Sequence, residues 1–362
     1  MFNVDKHIAT SLISGTEGKV KWSSPSNIAL VKYWGKRKNQ IPENPNLSFS
    51  LEEARTITGI KYRVKKESEL SWEFSFEGNR VPGFEPKLKY FFDTVIAYVP
   101  YLNRLHFEIS STNTFPHSTG IASSASAMSA MALNILDIGN RLNVENDDPE
   151  LFFRKASFLA RLGSGSASRS VFPGFSVWGS TDMIKGSSDE YASELKLEEG
   201  SYFNDIRDAI LIVSSEKKDI SSSLGHNLMK TNPYATFRYQ HARENLHHLI
   251  RAIEREDKEA FIRITENEAL TLHGLMMSSE PGYILLKRGS IEIIRKIREF
   301  RKTSGLFVTF TLDAGPNVHL LYHAKDHSLI NTFVENELAG YLENRKIIWD
   351  RLGNGPLKIP VE

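Results

Sequence analysis

At 362 residues the chain exceeds the roughly 250 to 300 residues at which a single core stops growing, so two domains are the default. Its 45 basic and 44 acidic residues leave a net charge of +1, which gives no global attraction to nucleic acid or to an anionic membrane; any anion site must be local. The absence of cysteine excludes disulfides, thiolate zinc sites and cysteine nucleophiles together and fits a reducing, cytoplasmic location, while the histidines form no His-Glu-x-x-His pattern and no apolar run approaches the ~18 residues of a membrane helix.

The first half alternates strand and helix signals. Residues 20–23, 28–32 and 56–64 read as strands, and Leu70, Trp72, Phe74 and Phe76 alternate with Ser71, Glu73 and Ser75 at the period of a half-buried strand. Residues 86–99 read as a helix, 105–111 as a strand, and 125–138 as an apolar segment long enough for a buried helix. The next helix is punctuated: Asp147 or Asp148 can cap it, Pro149 suits its first turn, Arg161 sits in its last turn and Gly163 can end it. Between Trp178 and Phe203 comes a polar run with Gly179, Ser180, Gly186, Ser187, Ser188 and Gly200, which places a boundary between domains 1–188 and 189–362. Beyond it, 209–213, 306–312 and 318–322 read as strands, and 234–253, 258–275, 290–303 and 327–342 as helices. A short last strand, to which Ile359 and Val361 can contribute, completes an α+β unit with helices stacked on an antiparallel sheet.

Four segments carry chemistry. In Ser26–Arg37 an apolar run, Ile28 to Val31, is followed at once by Lys32, Tyr33, Lys36 and Arg37, a strand delivering groups that can surround a phosphate or carboxylate. In Phe115–Met128 a loop of small residues runs into the 125–138 helix, whose first N–H groups lack internal partners and lie at its positive end, so Ser123, Ser124 and Ala125 can present donors to a polyphosphate. Gly163–Ser170 is a polar turn with one charge, Arg169, whose planar fork suits a carboxylate or phosphate beside Ser164 and Ser166. In Thr309–Asn317 a strand ends on Asp313 and a tight turn, so the carboxylate projects from a rigid edge where it can orient a hydroxyl, accept its proton or hold magnesium. Each segment alone also fits a bland reading: a solvated basic turn, a serine-capped helix, a flexible linker and a turn-capping aspartate.

Together they resemble the GHMP small-molecule kinase superfamily and, within it, the diphosphomevalonate decarboxylases. The motifs Asn27-Ile-Ala-Leu-Val-Lys-Tyr-Trp-Gly-Lys-Arg37, Gly120-Ile-Ala-Ser-Ser-Ala125, Gly163-Ser-Gly-Ser-Ala-Ser-Arg-Ser170 and Asp313-Ala-Gly-Pro-Asn317 stand in that family's order and spacing, with echoes at 188–192 and 218–222. The resemblance implies a GHMP kinase fold: an N-terminal ribosomal S5 domain 2-like domain, a C-terminal ferredoxin-like domain, and an active site in the cleft between them. It implies a homodimer using ATP and magnesium to convert mevalonate 5-diphosphate to isopentenyl diphosphate, ADP, phosphate and carbon dioxide. The nucleotide carries the magnesium, and no protein ligand for the metal is assigned. Carried over by motif, Asp313 lies beside the 3-hydroxyl, and Arg169 meets the substrate carboxylate with Asn27 holding it. Tyr33 and Lys36 contact the diphosphate, with Ser164 and Ser166 in the same pocket, and Gly120, Ala122, Ser123 and Ser124 meet ATP. Trp34 supports the turn. His117-Ser118-Thr119 departs from the Thr-Ala-Ala of many relatives, and no arginine matches the diphosphate clamp expected ahead of Gly78, where the nearest cations are Lys65 and Lys66. That departure keeps alternatives open: a mevalonate 5-phosphate decarboxylase, or a kinase that stops at the 3-phosphate.

Overall fold

The computed structural model describes residues 12–115, 123–143, 148–216 and 220–361. Among these, a seven-stranded sheet is built on the long antiparallel pair β1 (Glu17–Val31) and β2 (Asn46–Val64). The stretches 20–23 and 28–32, which read as separate strands, are one strand because register shifts at Pro25–Asn27 and Ala29–Val31 carry the chain through. Proline cannot donate to the ladder, and a bulge is where a sheet tolerates it. β4 (Leu105–Asn113) runs antiparallel to β2, and β3 (Ser71–Phe76) parallel to β4.

α1 (Glu85–Val95), α2 (Ser123–Arg141) and α3 (Pro149–Gly163) bury Phe91, Phe92, Leu133 and Phe158 in one core with Phe107 of the sheet. α3 starts as its punctuation implies, with the Asp148 carboxylate accepting from Leu151 N at 2.9 Å and Pro149 in the first turn. It also ends where expected, with Arg161 in the last turn and Gly163 its last residue, before the extended Ser164. A Cβ at Gly163 would lie 2.6 Å from Met128 Sδ and 2.7 Å from Phe91 Cδ2, so close packing requires the glycine rather than a left-handed turn.

β5 (Phe175–Trp178) pairs with the start of β2 and with β6 (Ala192–Leu195), so the polar run after Trp178 still contributes to the first sheet. The second sheet has the antiparallel order β10 (Ile347–Arg351), β7 (Ile206–Leu211), β9 (Val318–His323), β8 (Val308–Thr311). It is accompanied by α4 (Ser222–Leu228), α5 (Ala235–Glu254), α6 (Lys258–Met277) and α7 (Arg288–Ser304). The helix expected over 327–342 is shorter: α8 (His327–Phe333) passes into a π turn and a 3₁₀ turn that keep Val334, Leu338 and Ala339 all buried.

The two sheets are joined by a shared core in which Ile28, Leu30, Leu47 and Phe49 meet Ile210, Leu246, Ile250 and Phe261. This explains why β1 is buried on both faces from Ser23 to Val31 and why the residue after it, Lys32, has no route to solvent. The C-terminal segment returns across the join. Gly353 N donates to Ser50 O at 2.8 Å, Arg55 Nη2 to Gly355 O at 2.6 Å, and β11 (Leu357–Lys358) pairs with β1 while Lys358 Nζ reaches Asp137 Oδ1 at 2.7 Å. No helix among the described residues is long and apolar enough to cross a membrane.

Replacing Gly163 by valine overpacks the α1–α2–α3 junction and should destabilise the protein by about 1–3 kcal/mol. A thermal melt reads this as a lowered midpoint with an unchanged far-ultraviolet spectrum; an unchanged midpoint would mean the helices separate without cost.

Candidate active site

Lys32 anchors the site. It follows β1 directly and is 1% exposed. Its ammonium donates to Ala29 O at 2.5 Å and to Asp313 Oδ1 at 3.0 Å. An uncompensated buried ammonium costs several kcal/mol, which makes these two acceptors obligatory. Burial pushes the Lys32 pKa down, while Asp313 and then Glu268 pull it back up. Glu268 is itself buried and accepts the Lys32 backbone N–H at 2.8 Å, both Arg238 Nη atoms at 2.9 and 2.6 Å, and Asn245 Nδ2 at 2.7 Å.

Asp313 follows β8 and opens a turn fixed at three points. His273 Nε2 donates to the Asp313 carbonyl at 3.1 Å, and Ser290 Oγ to Pro316 O at 2.5 Å. Asn317 Oδ1 accepts from Val213 N at 2.8 Å and Ser214 N at 3.0 Å. The Asp313 side chain is 31% exposed against 2% for that of Lys32, so the pair presents its carboxylate outward and hides its ammonium.

Arg169 ends the 3₁₀ turn Gly165–Arg169 and is 3% exposed. Burial pushes its guanidinium down to about 10, against the pull of Asp313 and then Tyr33, and its Nε has no hydrogen-bond partner. The carboxamide that holds Arg169 is Asn46, whose Oδ1 accepts from Nη1, and not Asn27 as expected. Asn27 Nδ2 is spent on Ser166 O at 3.0 Å and Ser170 Oγ at 2.8 Å, which ties down the backbone of the arginine turn instead. Asn27 Oδ1, like Arg169 Nε, is buried and unpaired. Two orphaned buried polar atoms at one turn are a cost that a polar ligand relieves.

The remaining basic residues of Ser26–Arg37 separate. Lys36 Nζ donates to Gln40 Oε1 at 2.8 Å, whereas Arg37 turns outward to Asp189 Oδ2 at 2.9 Å and leaves the cluster. Tyr33 is packed between Trp178 and His226, with ring centroids 4.7 and 4.4 Å away, and its hydroxyl reaches Gln40 O at 3.4 Å. Burial holds its phenol protonated, far above the usual range. Gly165 lets the arginine turn approach this wall, since a Cβ there would meet Tyr33 Oη at 2.7 Å. Trp34 is 5% exposed and packs under the turn against His226 at 4.6 Å, as its supporting role requires.

The small-residue segments converge. Ser124 Oγ at the start of α2 lies 3.3 Å from Ser164 Oγ, which lies 3.5 Å from Ser166 Oγ. Ser123 opens the same helix, while Gly120 and Ala122 lie outside the described residues. Among the described residues no group of three carboxylate or imidazole side chains gathers to hold a metal ion.

The arrangement is a cation-lined, anion-binding site with one outward carboxylate, suited to a substrate that carries a hydroxyl between anionic ends. Residues 24–192 match the diphosphomevalonate decarboxylase-like N-terminal domain, and residues 209–351 the mevalonate 5-diphosphate decarboxylase C-terminal domain. The chain belongs to the diphosphomevalonate decarboxylase family. The diphosphomevalonate decarboxylase of Ganoderma lucidum is 31% identical over 324 residues, 84% of this chain and 78% of that protein. The mevalonate diphosphate decarboxylase of Staphylococcus aureus superposes with a TM-score of 0.80 at 29% identity, over 95% of this chain and 99% of that one. A second structure, described as MDDEF in complex with MVAPP, AMPPCP and magnesium, superposes with a TM-score of 0.79 at 26% identity, over 96% of this chain and 100% of that one. The two-sheet α+β arrangement is therefore the GHMP kinase fold of this decarboxylase family.

Within this decarboxylase fold, sequence reading missed Asn46, Glu268, His273 and His226. Asn46 had a signal, since it stands between Pro45 and a buried strand where an amide needs a partner. The others lie on helices whose polar residues look solvated until the packing is known.

His226 generates a pH prediction. Its Nδ1 accepts Gly35 N–H at 3.0 Å, and burial, then Lys36, push the imidazole down to about 3. Between that value and the ordinary 6.5 the unfolded chain binds a proton that the folded chain refuses, so stability falls as pH falls, by about 1.4 kcal/mol per pH unit from this group. His226→Gln, which keeps an acceptor for Gly35, should flatten the pH dependence of denaturation between pH 6.5 and 5; an equal slope in both proteins would place the titrating group elsewhere.

Proposed function

We propose that this chain catalyses the ATP-dependent decarboxylation of mevalonate 5-diphosphate to isopentenyl diphosphate, ADP, phosphate and carbon dioxide. The observation that carries the reading is the outward Asp313 carboxylate backed by buried Lys32, within electrostatic reach of Arg169 and its unpaired Nε. In the first step the substrate's 3-hydroxyl oxygen attacks the γ-phosphorus and ADP departs. An aspartate with an ordinary pKa near 3.9 is far too weak to ionise an alcohol beforehand. Asp313 therefore orients the hydroxyl and takes its proton only as the phosphorus–oxygen bond forms. Lys32 pairs with that carboxylate and fixes its direction.

In the second step the C3–O bond breaks with its electron pair leaving on phosphate, and the C1–C2 pair becomes the C2=C3 double bond as carbon dioxide leaves. No electron-sink cofactor is needed. Arg169 binds the carboxylate that is lost, with Asn46 fixing its plane, and Tyr33 and Lys36 receive the diphosphate. Ser123 and Ser124 face the nucleotide at the positive end of α2, next to Ser164 and Ser166. Magnesium carried on the nucleotide supplies charge neutralisation, and the hydroxyl and carboxylate oxygens lining this pocket are the hard donors such an ion accepts. The same reading carries a cytoplasmic homodimer with no membrane or nucleic-acid partner, and a domain limit that lies beyond β6 rather than at 188/189, because β6 pairs into the first sheet.

The test is release of carbon dioxide and phosphate by purified protein with ATP and magnesium, comparing mevalonate, its 5-phosphate and its 5-diphosphate. Preference for the diphosphate is expected; carbon dioxide from none of the three would overturn the reading. Asp313→Asn, whose amide oxygen still accepts from Lys32, should lower kcat by about 10²- to 10⁴-fold while the protein stays folded.

A further inference from the structure

Beside the Lys32–Asp313 pair lies a second group of donors whose carrier, α4, comes from the second half of the chain. α4 lies against the turn after β1. His226 packs between Tyr33 and Trp34 at 4.4 and 4.6 Å, Gly225 is close enough to Trp34 that a Cβ would sit 2.4 Å from its ring, and Met229 is buried in the same cluster as Trp34. Lys230 follows immediately, one turn beyond His226, and its backbone N–H donates to Asn227 O at 3.1 Å. The turn that follows α4 therefore brings Lys230 toward the turn after β1 that bears Lys36.

Because a backbone N–H can only donate, the bond from Gly35 N makes His226 Nδ1 the acceptor and puts the proton of the neutral ring on Nε2. Among the described residues neither that Nε2–H nor the Lys230 ammonium has a hydrogen-bond or ion-pair partner, and Lys36 has the neutral Gln40 amide alone. The three groups feel one another. After burial, Lys230 is the charge that holds Lys36 below its ordinary value, and Lys36 acts in the same way on His226. The two ammonium charges, Lys36 and Lys230, with only a neutral imidazole donor beside them, are destabilising together unless an anion completes the group.

We infer that Lys230 and His226 complete, with Lys36, a subsite for the terminal phosphate of the substrate, and that Lys230 sets the preference for a diphosphate over a monophosphate. The inference rests on the functional reading above and refines it. Tyr33 and Lys36 at the end of β1 reach the phosphate proximal to the hydroxy acid, and α4 closes on the distal one. A monophosphate ends before it reaches Lys230.

Two measurements on Lys230→Gln test this, and the first needs no turnover. Titration calorimetry with inorganic pyrophosphate should show affinity about tenfold weaker in Lys230→Gln than in the parent protein, and restored to within about threefold by Lys230→Arg. In steady state, Lys230→Gln should raise KM for mevalonate 5-diphosphate about tenfold, leave kcat within about twofold, and leave KM for mevalonate 5-phosphate unchanged. Unchanged pyrophosphate affinity, or an equal rise in KM for both substrates, would overturn the inference. If the parent protein turns over neither phosphate yet pyrophosphate binding still weakens in Lys230→Gln, the functional reading fails and the subsite stands.

Discussion

A lysine ammonium held inside the protein is the constraint on which the site is built. Lys32 sits where the first sheet ends and the second begins, with side-chain exposure of 2%, and none of its acceptors is optional. Ala29 O comes from its own strand, Asp313 from the turn after β8, and Glu268, which takes its backbone N–H, from α6. The halves of the molecule are thus joined twice, by the apolar cluster running from Ile28 and Phe49 to Ile250 and Phe261, and by charge at the rim of that cluster. Apolar burial gives the join its strength, and the buried charges give it one register, because any displacement strands an ion.

The pair is also asymmetric, and function follows from the asymmetry. The ammonium is enclosed and the carboxylate is a third exposed, so a ligand reaching the site meets an aspartate whose ion pair and direction are already set. Arg169 completes the opposite arrangement: a cation, buried, fixed by Asn46 through one nitrogen and left with Nε unsatisfied. A pocket that contains an ordered carboxylate and an under-satisfied guanidinium is prepared for a molecule with a hydroxyl at one point and a carboxylate at another. The aromatic wall of Tyr33, Trp178 and His226 supplies rigidity without charge, and Gly165 lets the arginine turn lie against it.

Much of the architecture was legible in the sequence where one physical signal dominated. The alternation around Trp72 and Phe74, the Asp148–Pro149 helix start and the long apolar α2 are local patterns, and local patterns survive folding. Gly163 shows the limit: a glycine at a helix end has two physical uses, and only the positions of Met128 and Phe91 reveal that close packing is the one in force. The motifs placed Asp313, Arg169, Ser124, Ser164 and Ser166 in one region, but not how their side chains are held. Asn27 and Asn46 are both buried amides near Arg169, and which of them reaches the guanidinium depends on a few ångströms of backbone that no spacing encodes. Arg37 belongs to the same basic run as Lys32 and Lys36, yet it ends on the surface because the turn after Gly35 points it toward Asp189.

The central claim is that Lys32 and Asp313 act as one unit, and a double-mutant cycle on kcat for mevalonate 5-diphosphate tests it most directly. With Lys32→Met and Asp313→Asn measured singly and together, the account predicts that each single change removes most turnover and that the pair is little worse than either alone. Losses that multiply would contradict it, because they would show two residues contributing independently rather than a lysine acting through the aspartate it holds.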